Sequence, residues 1–373
     1  MKMTVLQVLP ELESGGVERG TIEVARALTD AGHKAIVISA GGRMVEELEQ
    51  LGAIHVHCAV GRKNPVTFFH ALTLRRFLLK NHVDIIDVRS RLPAWVVYIA
   101  LKLLPQDQKP VLITSVHGAY SVSRYSAIMM RGDYIVAVSE FIKQYILQNY
   151  PWVEERRITV IPRGISDERY FPAFRPDMEW TQQWQTAHPE LNGKFVITLP
   201  GRISELKGQD DFLFIVKTLV DRGHNIHGLI VGGAGTHKQA LLDRLKQQSE
   251  TLSIQQHVSF LGDREDLREI MSCSDLVLSL SKKPESFGRT IIEAIALGKP
   301  VLAYDHGGAS EILAKCFPLG QVPVNNQDSM CDQIETYMQD PTPLPGPCPF
   351  TLDAMLKQTL QLYQQCFSRS KES

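Results

Sequence analysis

The constraint that most limits how this chain can fold is an alternation carried through twice. Short apolar runs rich in β-branched residues, at 5–9, 35–39, 54–60, 84–88, 111–116, 134–139 and 158–162, are separated by stretches of helical length. Between the first two runs, Val17, Thr21, Val24 and Leu28 share one helical face, and Gly32 stands where a left-handed residue ends a helix. Strands spaced by helices pair in parallel through crossovers rather than as hairpins, which predicts an α/β protein with a doubly wound sheet. A stretch rich in Pro, Trp and Gln at 166–193 interrupts the series. It resumes with runs at 195–201, 228–233, 258–262, 276–281 and 300–305, and helices are expected from Gln209, from Thr236 and after Gly288. At 373 residues the chain exceeds what one core usually holds. Two domains are therefore expected, 1–165 and 190–345. A stiff proline-rich connector, 340–350, then leads to a last helix over 352–370 whose RSKES end reads as a frayed tail.

Composition removes several classes of function. The net charge of −1 gives no reason to expect nucleic acid. The six cysteines are scattered, with no C-x-x-C, and read as free thiols of a reducing compartment rather than a disulfide frame or a zinc site. The chain opens directly into a strand without the pattern of a signal peptide, and no apolar run approaches the roughly 20 residues that span a bilayer. A cytoplasmic protein, soluble or peripheral on the inner membrane, is the expectation. The stretch 64–82 carries Phe68, Phe69, Leu72, Phe77 and Leu78 beside Arg75, Arg76 and Lys80. It reads first as a core-facing helix with a basic outer face, and second as a segment lying on an anionic membrane.

In doubly wound sheets ligands sit at the carboxyl ends of strands, so the residues just past each run carry the functional reading. Gly15-Gly16 follows the first run and opens a helix, which allows close approach of an anion, although a plain βα turn needs no more than this and G-x-G-x-x-G is absent. Arg89 and Arg91 follow the fourth run, as contacts to an anionic acceptor or as a solvated rim. His117 follows the fifth, as a hydrogen-bonding contact or a loop histidine. In the second series, Arg202 and Lys207 lie in a Gly-bounded loop that is not a P-loop, placed to clamp a diphosphate or only to flank a helix start. The stretch 284–300, PESFGRTIIEAIALGKP, holds Glu285 and Glu293 with seven residues between them. At a helical rise of about 1.5 Å per residue the two acids are too far apart for one reacting atom, but they suit the two ends of a long ligand. Glu293 then fits ribose hydroxyls, Glu285 fits a sugar, and the backbone around Phe287, Gly288, Arg289 and Thr290 suits the phosphates between. The plainer alternative is solvated charges at a helix start.

Taken in order, these positions resemble the retaining GT-B glycosyltransferases of family 4, the glycogen-synthase-like superfamily. The likeness covers nearly the whole chain: Gly15-Gly16, His117, Arg202 with Lys207 in G-R-x-x-x-x-K-G, and Glu285 with Glu293. SGGVERG, SRLPAW, HGAYSVSRYSAIM, IPRGI and PESFGRTIIEA look more narrowly like bacterial enzymes of the lipopolysaccharide core. The resemblance implies two Rossmann-like domains facing a cleft, with the last helix crossing back to the first domain. It implies catalytic roles for Glu285, His117, Arg202 and Lys207. Donor contacts are implied for Gly15, Gly16, Arg202, Lys207, Glu285, Phe287, Gly288, Arg289, Thr290 and Glu293, with Arg89 and Arg91 toward the acceptor. The donor would be a nucleotide-diphospho-sugar, UDP favoured, and the acceptor a glycan or glycolipid such as lipid A-core. No metal cofactor is expected: no D-x-D occurs, and the two cations would take the charge of the leaving diphosphate. Competing readings are a sugar-nucleotide epimerase, a phosphorylase (no pyridoxal pattern is evident), a catalytically silent nucleotide-sugar or membrane scaffold, and a dehydrogenase lacking its fingerprint.

Overall fold

In the computed structural model, which describes residues 2–372 except 14, 63, 236, 237, 342 and 343, every pairing between named strands is parallel. The first sheet contains β1 (Thr4–Val8), β2 (Lys34–Ser39), β3 (Ile54–His57), β4 (Ile85–Val88), β5 (Val111–Val116), β6 (Tyr134–Ala137) and β7 (Ile158–Val160), in the order β3-β2-β1-β4-β5-β6-β7. The second contains β8 (Phe195–Pro200), β9 (Ile226–Val231), β10 (Val258–Gly262), β11 (Leu276–Ser279), β12 (Val301–Tyr304) and β13 (Gln321–Val322), in the order β10-β9-β8-β11-β12-β13. Both are doubly wound and Rossmann-like, and each reverses its strand order once, between β1 and β4 and between β8 and β11. A crevice opens at the carboxyl ends of strands at such a reversal. The chain divides into two compact units: Met1–Gly164 with Leu352–Ser373, and Ile165–Thr351.

Several elements differ from the sequence-based expectation. The two-residue strand β13 is too short to show a period. The helix expected from Thr236 is Gln239–Thr251, and Thr236 itself lies outside the described residues. The stretch 166–193 belongs to the second unit and contains the helix Met178–Ala187, whose N-cap Asp177 accepts a hydrogen bond from Trp180 N at 2.7 Å. Trp180 stacks on Trp184 at 5.1 Å, and Trp184 is buried against Val196, Leu229, Val231 and Ile270. The two tryptophans thus make this stretch part of the second core rather than a linker.

The last helix, Leu352–Glu372, runs through the stretch expected to fray. Its Leu362, Tyr363, Cys366 and Phe367 lie in the core of the first unit with Val5, Leu9, Leu28, Val37 and Ile85. Spaced i, i+1, i+4 and i+5, they form one apolar stripe. Tyr363 also carries its hydroxyl into a buried polar cluster, donating to Asp87 Oδ2 at 2.7 Å. Asp87 further accepts from Ser115 Oγ at 2.7 Å and from Arg89 Nε and Nη2 at 3.1 and 2.9 Å. A buried ion pair is tolerated when its remaining hydrogen-bonding capacity is met, and Ser115 and Tyr363 meet it here.

The stretch 64–82 is a 3-10 turn, Pro65–Phe69, followed by the helix His70–Asn81. Ala71, Leu74 and Leu78 face the core, whereas Phe68, Phe69 and Leu72 are 42%, 69% and 50% exposed. Among the described residues no helix is long and apolar enough to cross a membrane.

Tyr363→Phe removes one donor from a buried carboxylate and is expected to cost about 1.5–3 kcal/mol, read from urea denaturation. An unchanged midpoint would show that the hydroxyl does not hold the helix to the sheet.

Candidate functional site

Two loops meet at the strand-order reversal of the second unit. The first leaves β8 as Gly201-Arg202-Ile203-Ser204-Glu205-Leu206-Lys207-Gly208 and enters the helix Gln209–Asp221. Ile203 is buried, and the buried Gln209 amide donates to the Arg202 carbonyl at 3.2 Å. Gly208 has φ +72°, and a Cβ there would lie 2.2 Å from the Leu280 carbonyl oxygen. Only glycine allows this loop to press so closely on the second one.

The second loop leaves β11 and enters the helix Arg289–Ala296. Lys282 joins the two loops. Its N–H donates to the Leu206 carbonyl at 2.7 Å, and its Nζ reaches Asp210 at 2.6 Å and Asp211 at 3.0 Å. Asp211 in turn accepts from the Tyr304 hydroxyl at 2.8 Å. From the end of β12, His306 Nε2 donates to the Ser281 carbonyl at 2.7 Å, and Gly308 N donates to the Glu285 carbonyl at 2.8 Å.

Within this frame Lys207 Nζ lies 2.5 Å from Glu285 Oε1, and Ser281 Oγ donates to the same oxygen. Burial works to raise the Glu285 carboxyl, but the Lys207 charge, the hydrogen bonds from Lys207 and Ser281, and His306 beyond outweigh it. The group is held below the ordinary carboxylate range. Arg202 projects outward, and its guanidinium makes no ion pair among the described residues. Phe287 is buried, edge-on to Phe350 at 5.5 Å. Gly288, at φ +109°, caps the next helix without a side-chain bond, and no acid occupies that helix's first turn. Thr290 is half-buried beside this open N-terminus, a position that suits an anion.

Glu293 is set in the opposite environment. It is 7% exposed and accepts from Arg289 Nε at 2.9 Å. Burial dominates over the Arg289 and Arg169 charges and raises its carboxyl above the usual range. Tyr170 lies beside this group, its hydroxyl pushed up to about 12 by burial and by the Glu293 charge. Each expected glutamate therefore has its own cation, and Arg289 is engaged by Glu293.

The first unit holds the remaining expected residues. Gly15, at φ +136°, caps the helix Gly16–Asp30, and the Glu18 side chain lies within 2.6 Å of where a Gly15 Cβ would be. The buried nitrogens of His117 have no hydrogen-bond partner among the described residues. Burial, then the Arg163 and Arg89 charges, lower its pKa well below the ordinary histidine value, so the ring is neutral. Arg91 donates to Ser126 Oγ at 3.2 Å and lies over the Tyr120 ring at 4.8 Å. Arg89 corrects the expectation of a solvated rim: it is 6% exposed and committed to Asp87.

Sequence reasoning missed Ser281, Lys282, His306, Arg169 and Tyr170. His306 follows a strand end and was findable by that rule. Arg169 and Tyr170 lie in a stretch whose composition carries no such signal.

Two family models match the chain, Glycosyltransferase Family 4 over residues 14–169 and Glycosyl transferases group 1 over residues 181–346. A solved glycosyltransferase from Rickettsia africae is 31% identical, with 98% of each chain covered and a TM-score of 0.85. The chain belongs to the glycosyltransferases, with a family 4 domain followed by a group 1 domain. It is an enzyme of GT-B fold, and the epimerase, phosphorylase, scaffold and dehydrogenase readings give way to this one. The mannosylfructose-phosphate synthase of Agrobacterium fabrum is 32% identical over 182 residues, 47% of this chain and 38% of that protein, so the match spans well under half of its length. The Anabaena protein Alr3699/HepE, solved with UDP and glucose, shares the fold at 21% identity and a TM-score of 0.80, with 97% of this chain and 100% of that one covered.

The two glutamates separate by pH. Glu285, held low, stabilises the folded transferase at neutral pH, and that contribution disappears as pH falls through its lowered value. Glu293, held high, costs stability when ionised, and the cost vanishes below the ordinary carboxylate value of about 4.3. Glu285→Gln should therefore lower, and Glu293→Gln raise, the thermal midpoint at neutral pH, with both differences shrinking on acidification. Shifts of the same sign in the two variants would contradict this assignment.

Proposed function

We propose that this transferase takes its sugar from a nucleotide-diphospho-sugar, UDP favoured, and transfers it with retention to a glycan or glycolipid of the lipopolysaccharide-core type. The observation that carries the reading is the pairing of Lys207 with Glu285 at the strand-order reversal, with Arg202 exposed on the same loop. Arg202 and Lys207 supply the charge that a departing diphosphate needs, so the proposed transfer requires no metal. Glu285, ionised and held from behind, accepts hydroxyls of the transferred sugar. Glu293 and Arg289 take the ribose end, and the open helix start at Phe287–Thr290 takes the phosphates. His117, neutral and with unpartnered nitrogens, is assigned a sugar hydroxyl, and Gly15-Gly16 an approach to phosphate. The leaving phosphate oxygen takes the acceptor proton, which leaves no need for a separate protein base. Arg91, set over the rings of Tyr120 and Tyr125, remains the acceptor-side candidate, without Arg89.

The likeness to HepE supports a nucleotide sugar only as analogy of fold. The lipopolysaccharide acceptor rests on the sequence likeness of SGGVERG, SRLPAW and PESFGRTIIEA. A panel of nucleotide sugars scored by thermal shift tests the donor, since a ligand of the folded state raises the midpoint. If no nucleotide or nucleotide sugar shifts the protein, the donor reading falls. Arg202→Ala and Lys207→Ala should each lower turnover about 10²- to 10³-fold, and a chelator should leave it unchanged.

Contact with the inner face of the membrane belongs to the same proposal. Phe68, Phe69, Leu72 and Leu103 are exposed, with Arg76 and Lys80 close by in sequence, which suits an anionic bilayer surface. Phe69→Asp combined with Leu72→Asp should abolish co-sedimentation with anionic vesicles while the thermal midpoint holds. Equal sedimentation of the variant and the parent chain would remove this face from the proposal.

A further inference from the structure

The six cysteines look unrelated in sequence, yet the fold brings two of them together. Cys316 ends the helix Gly307–Cys316 and is buried, whereas Cys348 is half-buried in the proline-rich connector. Cys348 lies between Gly346 and Phe350, and these two residues touch Cys316 and Lys315 at the helix end, which brings the two cysteines together. The segment carrying Cys348 is held in place by contacts that do not involve sulfur. Gly346 N donates to the Cys316 carbonyl at 2.9 Å, Lys315 Nζ lies 5.4 Å from the Phe350 ring, and Ile165 N donates to the Phe350 carbonyl at 3.1 Å. Phe350 packs edge-on against Phe287 at 5.5 Å, in the loop that also carries Glu285. The two thiols are therefore neighbours in the folded chain before any bond joins them.

We propose that Cys316 and Cys348 form a thiol–disulfide pair that reacts with small disulfides of the glutathione class and fastens the connector to the helix end beside the Phe287 loop. The two thiols are not equivalent. The hydrogen bond from Cys316, helped by the Phe350 N–H and opposed by burial, lowers the Cys348 thiol, while the same contact and burial push the Cys316 thiol up. The thiolate is the nucleophile, so Cys348 attacks first. Its sulfur bonds to one sulfur of the small disulfide and expels the other half as a thiolate. Cys316 then loses its proton to solvent, its sulfur attacks Cys348 Sγ, and the second half leaves as a thiolate. Two protein thiols are oxidised and one small disulfide is reduced to two thiols. The loop so closed runs from 316 to 348, and the bond constrains the unfolded chain.

The site does not depend on which sugar donor the enzyme takes, because it is read without donor or turnover. The full chain is incubated with oxidised glutathione, quenched by alkylation, digested and mapped by mass spectrometry. The expected result is a Cys316–Cys348 cross-linked peptide, absent after reduction, with little glutathione retained on Cys348. Cys316→Ala, and separately Cys316→Ser, should trap glutathione on Cys348 because the resolving thiol is gone. If parent-chain Cys348 keeps as much glutathione as either variant, or if neither cysteine of the pair reacts while exposed Cys273 does, the proposal is overturned.

Discussion

The site depends on the ion pair between Lys207 and Glu285, and that pair exists because two loops from different strands are fastened backbone to backbone. A partly exposed lysine–carboxylate pair between free loops would contribute little, since ordering two long side chains offsets most of the attraction. Here the ordering is done elsewhere. Lys282 links the loops through its own N–H and through Asp210 and Asp211, and His306 and Gly308 hold the second loop from β12. Gly208 permits the contact sterically. Glu285 consequently meets Lys207 and Ser281 at little further entropic cost, and its charge is retained despite burial.

Glu293 shows how far environment overrides residue type. Both acids lie in one short motif, yet one carboxyl is lowered and the other raised. The difference follows from what each faces. Glu285 has a lysine and a hydroxyl on one oxygen, while Glu293 is more deeply buried on a helix and pairs with Arg289, with Arg169 near. Such a separation lets two identical side chains treat different parts of one ligand differently.

In the first unit the Asp87 cluster plays a comparable structural part. Arg89 is spent on Asp87 rather than on solvent, and Tyr363 of the last helix completes the cluster. Burial, with the positive charges of Arg163 and Arg89, keeps His117 neutral, which leaves it able both to donate and to accept.

Much of the architecture was legible from pattern alone. Strand runs separated by helical stretches require parallel sheets, and the residues after each run mark the ligand side, so Arg202, Lys207, Glu285 and Glu293 could be named from their positions. Other features had no local signal. The tryptophans of 178–187 looked like linker composition until their rings were seen to be buried. Arg89 looked exposed because a charged residue after a strand usually is, and only Tyr363, distant in sequence, shows why it is not. The pairing of Lys207 with Glu285, the opposite shifts of the two glutamates, and the meeting of Cys316 with Cys348 join residues far apart in the chain or depend on burial. The sequence by itself determined the α/β class, the two-fold repeat of the alternation and the loops where chemistry gathers, because periodicity and strand-end position are local properties. Which of those residues are charged, paired, buried or free was decided only by tertiary structure, because desolvation and ion pairing depend on neighbours that the chain brings together only when it folds.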